Sequence, residues 1–196
     1  MKKDIIFIAD FFESHLIGGA ELNDSVLISS LIEKNYRVQK IRSTAVTLKF
    51  LKNNKDKFFI ISNFVGTDAR CLKFIASHLE YIVYEHDHKY LNTRDPSEFL
   101  EHNSLGVNSI NPNNIVNSRL YTRAKAVVCL SNICKQIIQE ILGCENVINI
   151  GTSLWSEEYL DKMEKISKVK SKKAMVLKST NPTKNMSAAI RYCHEN

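Results

Sequence analysis

The chain has 196 residues, 44% of them apolar, enough for one sizeable core or for one core and the start of another. Its formal charge of +6 is unevenly placed: residues 1 to 161 carry 18 Lys/Arg against 19 Asp/Glu, and residues 162 to 196 carry 9 against 2. No run approaches the roughly 20 apolar residues of a membrane span, and MKKDIIFIAD reaches Asp10 too early for a signal peptide. A cytoplasmic protein is expected. The five cysteines, Cys71, Cys129, Cys134, Cys144 and Cys193, form no CxxC and no zinc-like pairing with histidine. Cys129 lies in an apolar run, as a core thiol would.

Ile5–Ile8 is short and wholly apolar, the pattern of a parallel strand buried on both faces. A loop follows, then a predicted helix from about Ala20 to Lys34, with Leu22, Val26, Leu31 and Ile32 near helical spacing. Val38–Ile41 reads as a second strand, Leu48–Leu51 as part of a short helix, and Phe58–Ile61 as a third strand. Ala69–Ser77 is predicted helical and Tyr81–Tyr84 is the fourth strand. Asp95-Pro96-Ser97-Glu98 carries helix-start grammar, an Asp cap, a first-turn Pro and an acid three residues on. A short helix is predicted over Ile115–Arg123 and a fifth strand over Ala126–Leu130. Ser131 caps the next helix, which carries Ile133, Ile137, Ile138 and Ile141 and stops at Gly143. Val147–Ile150 is the sixth strand, ended by Gly151.

Apolar strands alternating with helices indicate an α/β fold, a Rossmann-like doubly wound parallel sheet, over residues 1–155. Beyond Trp155, Ser156 caps a helix through Glu157–Lys165, and residues 156–173 form a helical, basic linker. Ala174–Leu177 then restarts a strand, Lys178–Asn185 is a polar loop, and Met186–Cys193 is a helix. Residues 174–196 thus read as one βα unit of an incomplete second lobe. The basic stretch KMEKISKVKSKK is a solvated linker or helix face by preference, with polyanion attraction as the other reading.

Ligands in such sheets gather at the carboxyl ends of the strands. Three polar clusters fall there: the loop after the first strand, EHDH after the fourth, and Gly151–Ser153 after the sixth. In FESHLIGGAEL, Gly18 and Gly19 precede a helix, so the backbone can approach an anion at the helix start; a tight structural turn reads the same way. Glu21 suits the first turn of that helix. In EHDH, His86 and His88 are two positions apart, and no third ligand is paired with them, which disfavours a metal site. Acid–base work by a His beside a carboxylate, hydrogen bonding to a hydroxyl or phosphate, and a solvated strand exit all remain open. STNPTKN places Lys184 just before a helix, a grip for an anion or an ordinary surface loop.

GGAE in the first loop, a strand ending in EHD, AKAVVCLSNICKQII, NVINIGTS, a basic linker and a strand leading to PTKN occur in one order along essentially the whole chain. Together they resemble the GT-B glycosyltransferases of the glycosyltransferase-4-like type, in which two Rossmann-like lobes face each other across a cleft. That resemblance implies an N-terminal lobe on the acceptor side and a C-terminal lobe that holds a nucleotide-sugar donor. It implies that Gly18 and Gly19 meet the donor diphosphate, with Glu21 following them. His86, with Asp87 beside it, would lie at the reacting sugar in an orienting or hydrogen-bonding role. Ser131 would match the serine after the fifth strand, and Lys184 the lysine that neutralises the leaving diphosphate. Neither a metal nor a cofactor is implied; the nucleotide-sugar is a substrate.

The chain departs from that family in carrying only the first unit of the donor lobe. The expectation is therefore a fragment or one half of a split enzyme, completed by a second chain that carries the donor-binding lobe. The Lys/Asn/Ile-rich, Pro-poor composition suggests an AT-rich coding source, and the chain as a whole resembles glycosyltransferases of large tailed phages; that resemblance implies a hydroxymethylated DNA base or a polysaccharide as acceptor. Two other readings stand beside it: a non-catalytic nucleotide- or nucleic-acid-binding module, and a metal-dependent hydrolase built on EHDH.

Overall fold

The structure, a computed structural model, describes residues 4–97, 111–168 and 186–195. Residues 1–155 and 156–196 are two separate compact units. The first is built on six parallel strands: β1 Ile5–Ala9, β2 Val38–Arg42, β3 Phe58–Ile61, β4 Glu80–Tyr84, β5 Val127–Cys129 and β6 Val147–Asn149. They are ordered β2-β1-β3-β4-β5-β6. Its helices are α1 Gly19–Glu33, α2 Leu48–Asn53, α3 Ala69–His78, α4 Ser118–Thr122 and α5 Asn132–Leu142. This is the Rossmann-like doubly wound arrangement expected from the sequence.

Strand residues alternate between two cores because successive side chains point to opposite faces. Ile6, Ile8, Phe59, Ile61, Tyr81, Val83, Val127, Cys129 and Val147 pack beneath Leu51 of α2, Cys71 and Ile75 of α3, Leu120 and Tyr121 of α4, and Ile137 and Ile138 of α5. The other face collects Ile5, Phe7, Ala9, Ile60 and Tyr84 with Phe12 and with Ile28 of α1. A groove of about 590 Å³ stays open on this second face, lined by sheet residues such as Ile60, Ile82 and Val128 and by Leu27 and Leu31 of α1.

The chain winds from β1 outward in both directions, so connections leave β1 and β3 on opposite sides of the sheet. In sheets of this order, ligands are received outside the carboxyl ends of the strands where that direction reverses, here between β1 and β3. Asp10, at the exit of β1, ties the neighbouring exits together. Its carboxylate accepts hydrogen bonds from the Ser43 hydroxyl after β2 and from the Val65 and Gly66 amides after β3. Gly66 is required by close approach: a Cβ there would stand 2.7 Å from Ser43 Oγ and from a Thr44 methyl.

Several boundaries differ from the sequence expectations. The helix predicted over Ile115–Arg123 is only Ser118–Thr122, because Pro112–Asn114 form a 3-10 turn and Ile115 makes an antiparallel bridge to Leu91. The fifth and sixth strands are three residues each. In α1 the apolar spacing is misleading: Ile32 is 54% exposed, while Asn23 and Asp24 are buried. Asp95 does accept from the Ser97 amide at 2.9 Å, as its helix-start grammar asks, but the continuation lies outside the described residues.

In the second unit, α6 Glu157–Ser167 begins with Ser156 accepting from the Tyr159 amide at 3.3 Å, and α7 spans Met186–Glu195. The strand expected at Ala174–Leu177 lies outside the described residues. Among the described residues no helix is long and apolar enough to cross a membrane.

Candidate functional site

The carboxyl edge of the sheet assembles its polar groups from distant parts of the chain. β4 ends at Tyr84, and the EHDH segment turns sharply, with His88 in the left-handed region at φ 52°. Once the strand has ended, the four titratable side chains separate to different partners.

Glu85 turns inward and is completely buried. Its carboxylate accepts from the Asp87 amide at 2.6 Å, from Lys89 Nζ at 3.2 Å and from the Tyr121 hydroxyl. Burial pushes its pKa up, but Lys89, Tyr121 and the Asp87 amide outweigh that and hold it below the ordinary glutamate value. Tyr121 is correspondingly held neutral, its pKa raised by burial and by the neighbouring Glu85. His88 Nδ1 lies 2.7 Å from the Tyr90 hydroxyl. Burial lowers the His88 pKa, with Glu85 opposing and Lys89 reinforcing the shift. Glu85, Lys89, Tyr121, Tyr90 and His88 form a satisfied polar block that braces the loop.

His86 takes the other direction. Its side chain is 4% exposed, and Nε2 lies 3.2 Å from Oδ1 of Asp24, on the inward face of α1. The same Oδ1 accepts from the Ser62 hydroxyl at 2.8 Å, where β3 ends. The Tyr84 ring meets the imidazole edge-on, with centroids 4.4 Å apart. Among the described residues, Asp24 Oδ2 is buried without a partner, as is Asn63 Oδ1. Asn23, beside Asp24, accepts from the Leu154 amide at 2.6 Å and so ties the segment after β6 to α1.

No local sequence pattern marks Asp24 or Ser62 as members of the site. The available signal was a polar pair, Asn23-Asp24, on a helix otherwise read by its apolar spacing. Asp87 is not the carboxylate that touches the His86 ring. It is half exposed and approaches Lys89 Nζ at 3.8 Å.

Gly18 is the N-cap of α1 and supplies no side-chain cap. By contrast α2, α3 and α5 are capped by Thr47, Asp68 and Ser131. Glu21 is buried in the first turn of α1, and its carboxylate folds back into the space that a Cβ on Gly18 would need. The start of α1 therefore combines uncapped amides, which favour an anion, with a carboxylate, which does not.

Ser131 stands at the exit of β5 on the same edge, and its hydroxyl accepts from the Cys134 amide at 3.2 Å. It is engaged as a helix cap. Lys184 lies outside the described residues. His86 and His88 serve different partners, and among the described residues no group of three or more His, Cys, Asp or Glu could hold a metal ion.

The arrangement can orient an imidazole with a buried carboxylate at the carboxyl edge of the sheet, where α1 also begins. No protein-family profile matches the sequence, and no curated protein matches it.

Proposed function

We propose that the chain is the acceptor-side part of a GT-B-type glycosyltransferase, moving a sugar from a nucleotide-sugar to an acceptor hydroxyl. The observation that carries this reading is the buried Asp24–His86 pair at the carboxyl edge of a doubly wound sheet, where such sheets receive ligands. A transferase of this kind needs dipoles and cations on the departing diphosphate and a polar group at the reacting sugar. The uncapped amides at Gly18 and Gly19 suit the first requirement and His86 the second. Lys184 is proposed for the diphosphate on the sequence resemblance alone.

In the proposed reaction the anomeric C–O bond to the diphosphate breaks, and its electron pair stays on the diphosphate. The acceptor oxygen forms the new C–O bond, and its proton leaves with the diphosphate. His86 orients a hydroxyl by a hydrogen bond and forms no covalent intermediate. Transfer also calls for a donor-binding lobe facing this one. The acceptor is proposed to be a hydroxymethylated DNA base or a polysaccharide.

The test is transfer by the chain co-expressed with a complementary lobe, over a panel of nucleotide-sugars and both acceptor classes. Transfer that falls at least about 100-fold in His86→Ala supports the reading, in line with the loss of a positioned polar group. Nucleotide binding without turnover would favour a non-catalytic nucleotide-binding module. Transfer left intact by both His86→Ala and Lys184→Ala would sink the site assignment.

A further inference from the structure

We infer that Asp24 is the positioning residue of this site: it holds His86 through Nε2, so that Nδ1 is the nitrogen offered to the ligand, as an acceptor for a hydroxyl. This rests on the reading of His86 as the group at the reacting sugar, and it assigns a task to a residue on a different element from the EHDH segment.

A carboxylate oxygen can only accept, so the imidazole atom 3.2 Å from Asp24 Oδ1 is an N–H. In a neutral ring that leaves the lone pair on Nδ1. Among the described residues nothing bonds Nδ1. A phosphate oxygen, itself an acceptor, has nothing to gain from a lone pair there, whereas a sugar or acceptor hydroxyl can donate to it. The nearby groups that could compete for the ring are committed elsewhere. Glu85 has three donors, Asp87 faces Lys89, and His88 pairs with Tyr90. The ring is also fixed in orientation by the edge-on Tyr84 contact, and the Ser62 hydroxyl anchors the same carboxylate oxygen at 2.8 Å.

The position of Asp24 adds a coupling. It lies on α1, the helix that starts at Gly19, so one rigid element carries both the uncapped amides proposed for the diphosphate and the carboxylate that aims His86. A movement of α1 on binding the diphosphate would be transmitted to the imidazole through one hydrogen bond.

The test is the tautomer of His86, read from long-range proton–nitrogen correlation spectra of the nitrogen-15-labelled full chain, recorded at alkaline pH. The chain has six histidines, and the spectrum of His86→Gln assigns the signal. The expected result is an Nε2-protonated ring in at least about tenfold excess, the scale of one charge-assisted hydrogen bond. Asp24→Ala should reduce that excess, and Asp87→Asn should leave it unchanged. An Nδ1-protonated ring in the wild type, or an excess that survives Asp24→Ala, overturns the proposal. Should Asp24→Ala fail to fold, the wild-type tautomer and the Asp87→Asn spectrum still decide, since a change in the latter would give the role to Asp87. In the transfer assay, Asp24→Asn should lower kcat about tenfold or more with little change in KM for the donor. A wild type without transfer would refute the proposed reaction while the tautomer still reports on Asp24.

Discussion

The ring of His86 is held by Asp24, 62 positions earlier in the chain, with 3.2 Å between Nε2 and Oδ1. Its covalent neighbour Asp87 faces Lys89 instead. The contact joins α1 to the exit of β4 along the carboxyl edge of the sheet, with Ser62 of the intervening strand exit donating to the same oxygen.

Stability should register that difference. Asp24→Ala removes the acceptor of two buried donors and should cost about 1–3 kcal/mol. Asp87→Ala removes a half-exposed carboxylate from a long contact and should stay within about 0.5 kcal/mol. Urea unfolding followed by circular dichroism measures both, and equal losses would contradict the hydrogen-bond geometry.

The buried Glu85–Lys89 pair should behave as a unit. Lys89→Met leaves the Glu85 carboxylate in the core without its countercharge and should cost about 3–5 kcal/mol. The double variant Glu85→Gln/Lys89→Met should recover part of that loss, because no charge is then stranded. A double-mutant cycle with no coupling would show that the pair is not formed in solution.

Two pH windows follow from the shifts of this block. Glu85 has a folded pKa below its unfolded value, so its contribution is present above about pH 4.3 and lost as pH falls through the folded value. His88 is also lowered, and the unfolded chain therefore takes up its proton first. Its contribution is complete above about pH 6.5 and declines as pH falls toward the folded value. Stability measured against pH should lose slope just below pH 6.5 in His88→Gln and below pH 4.3 in Glu85→Gln. A slope unchanged in both would mean that neither shift exists.

Asp10 and Gly66 should prove sensitive although neither belongs to the proposed chemistry. Asp10→Ala deprives one hydroxyl and two amides of their acceptor, a loss of about 2–3 kcal/mol. Gly66→Ala forces a methyl against Ser43 and Thr44, with a cost of about 1–3 kcal/mol. Thermal melts of the two variants would check both figures, and a Gly66→Ala melt at the wild-type temperature would argue against the close approach.

Most of the sheet was legible because wholly apolar runs such as Ile5–Ile8 and Phe58–Ile61 leave few alternatives to buried parallel strands. Helix caps were legible for the same local reason. Ser131 and Ser156 reach amides only three residues away, so sequence spacing determines the contact. The Ile115–Arg123 segment was misread because its backbone answers to a distant partner, the bridge from Leu91.

The chain's own pattern places a polar cluster after the fourth strand, on the carboxyl edge of the sheet, and glycines at the start of the first helix. Which of those side chains work together was decided only by the tertiary structure. Asp24 is buried on α1 against the helical apolar spacing, Glu85 withdraws into the core to Lys89 and Tyr121, and Asp87 is left near the surface. Hydrogen-bond partners of buried charges are set by desolvation, which makes each seek the nearest satisfying group in space. Those groups stand on other elements, at separations that no local pattern encodes.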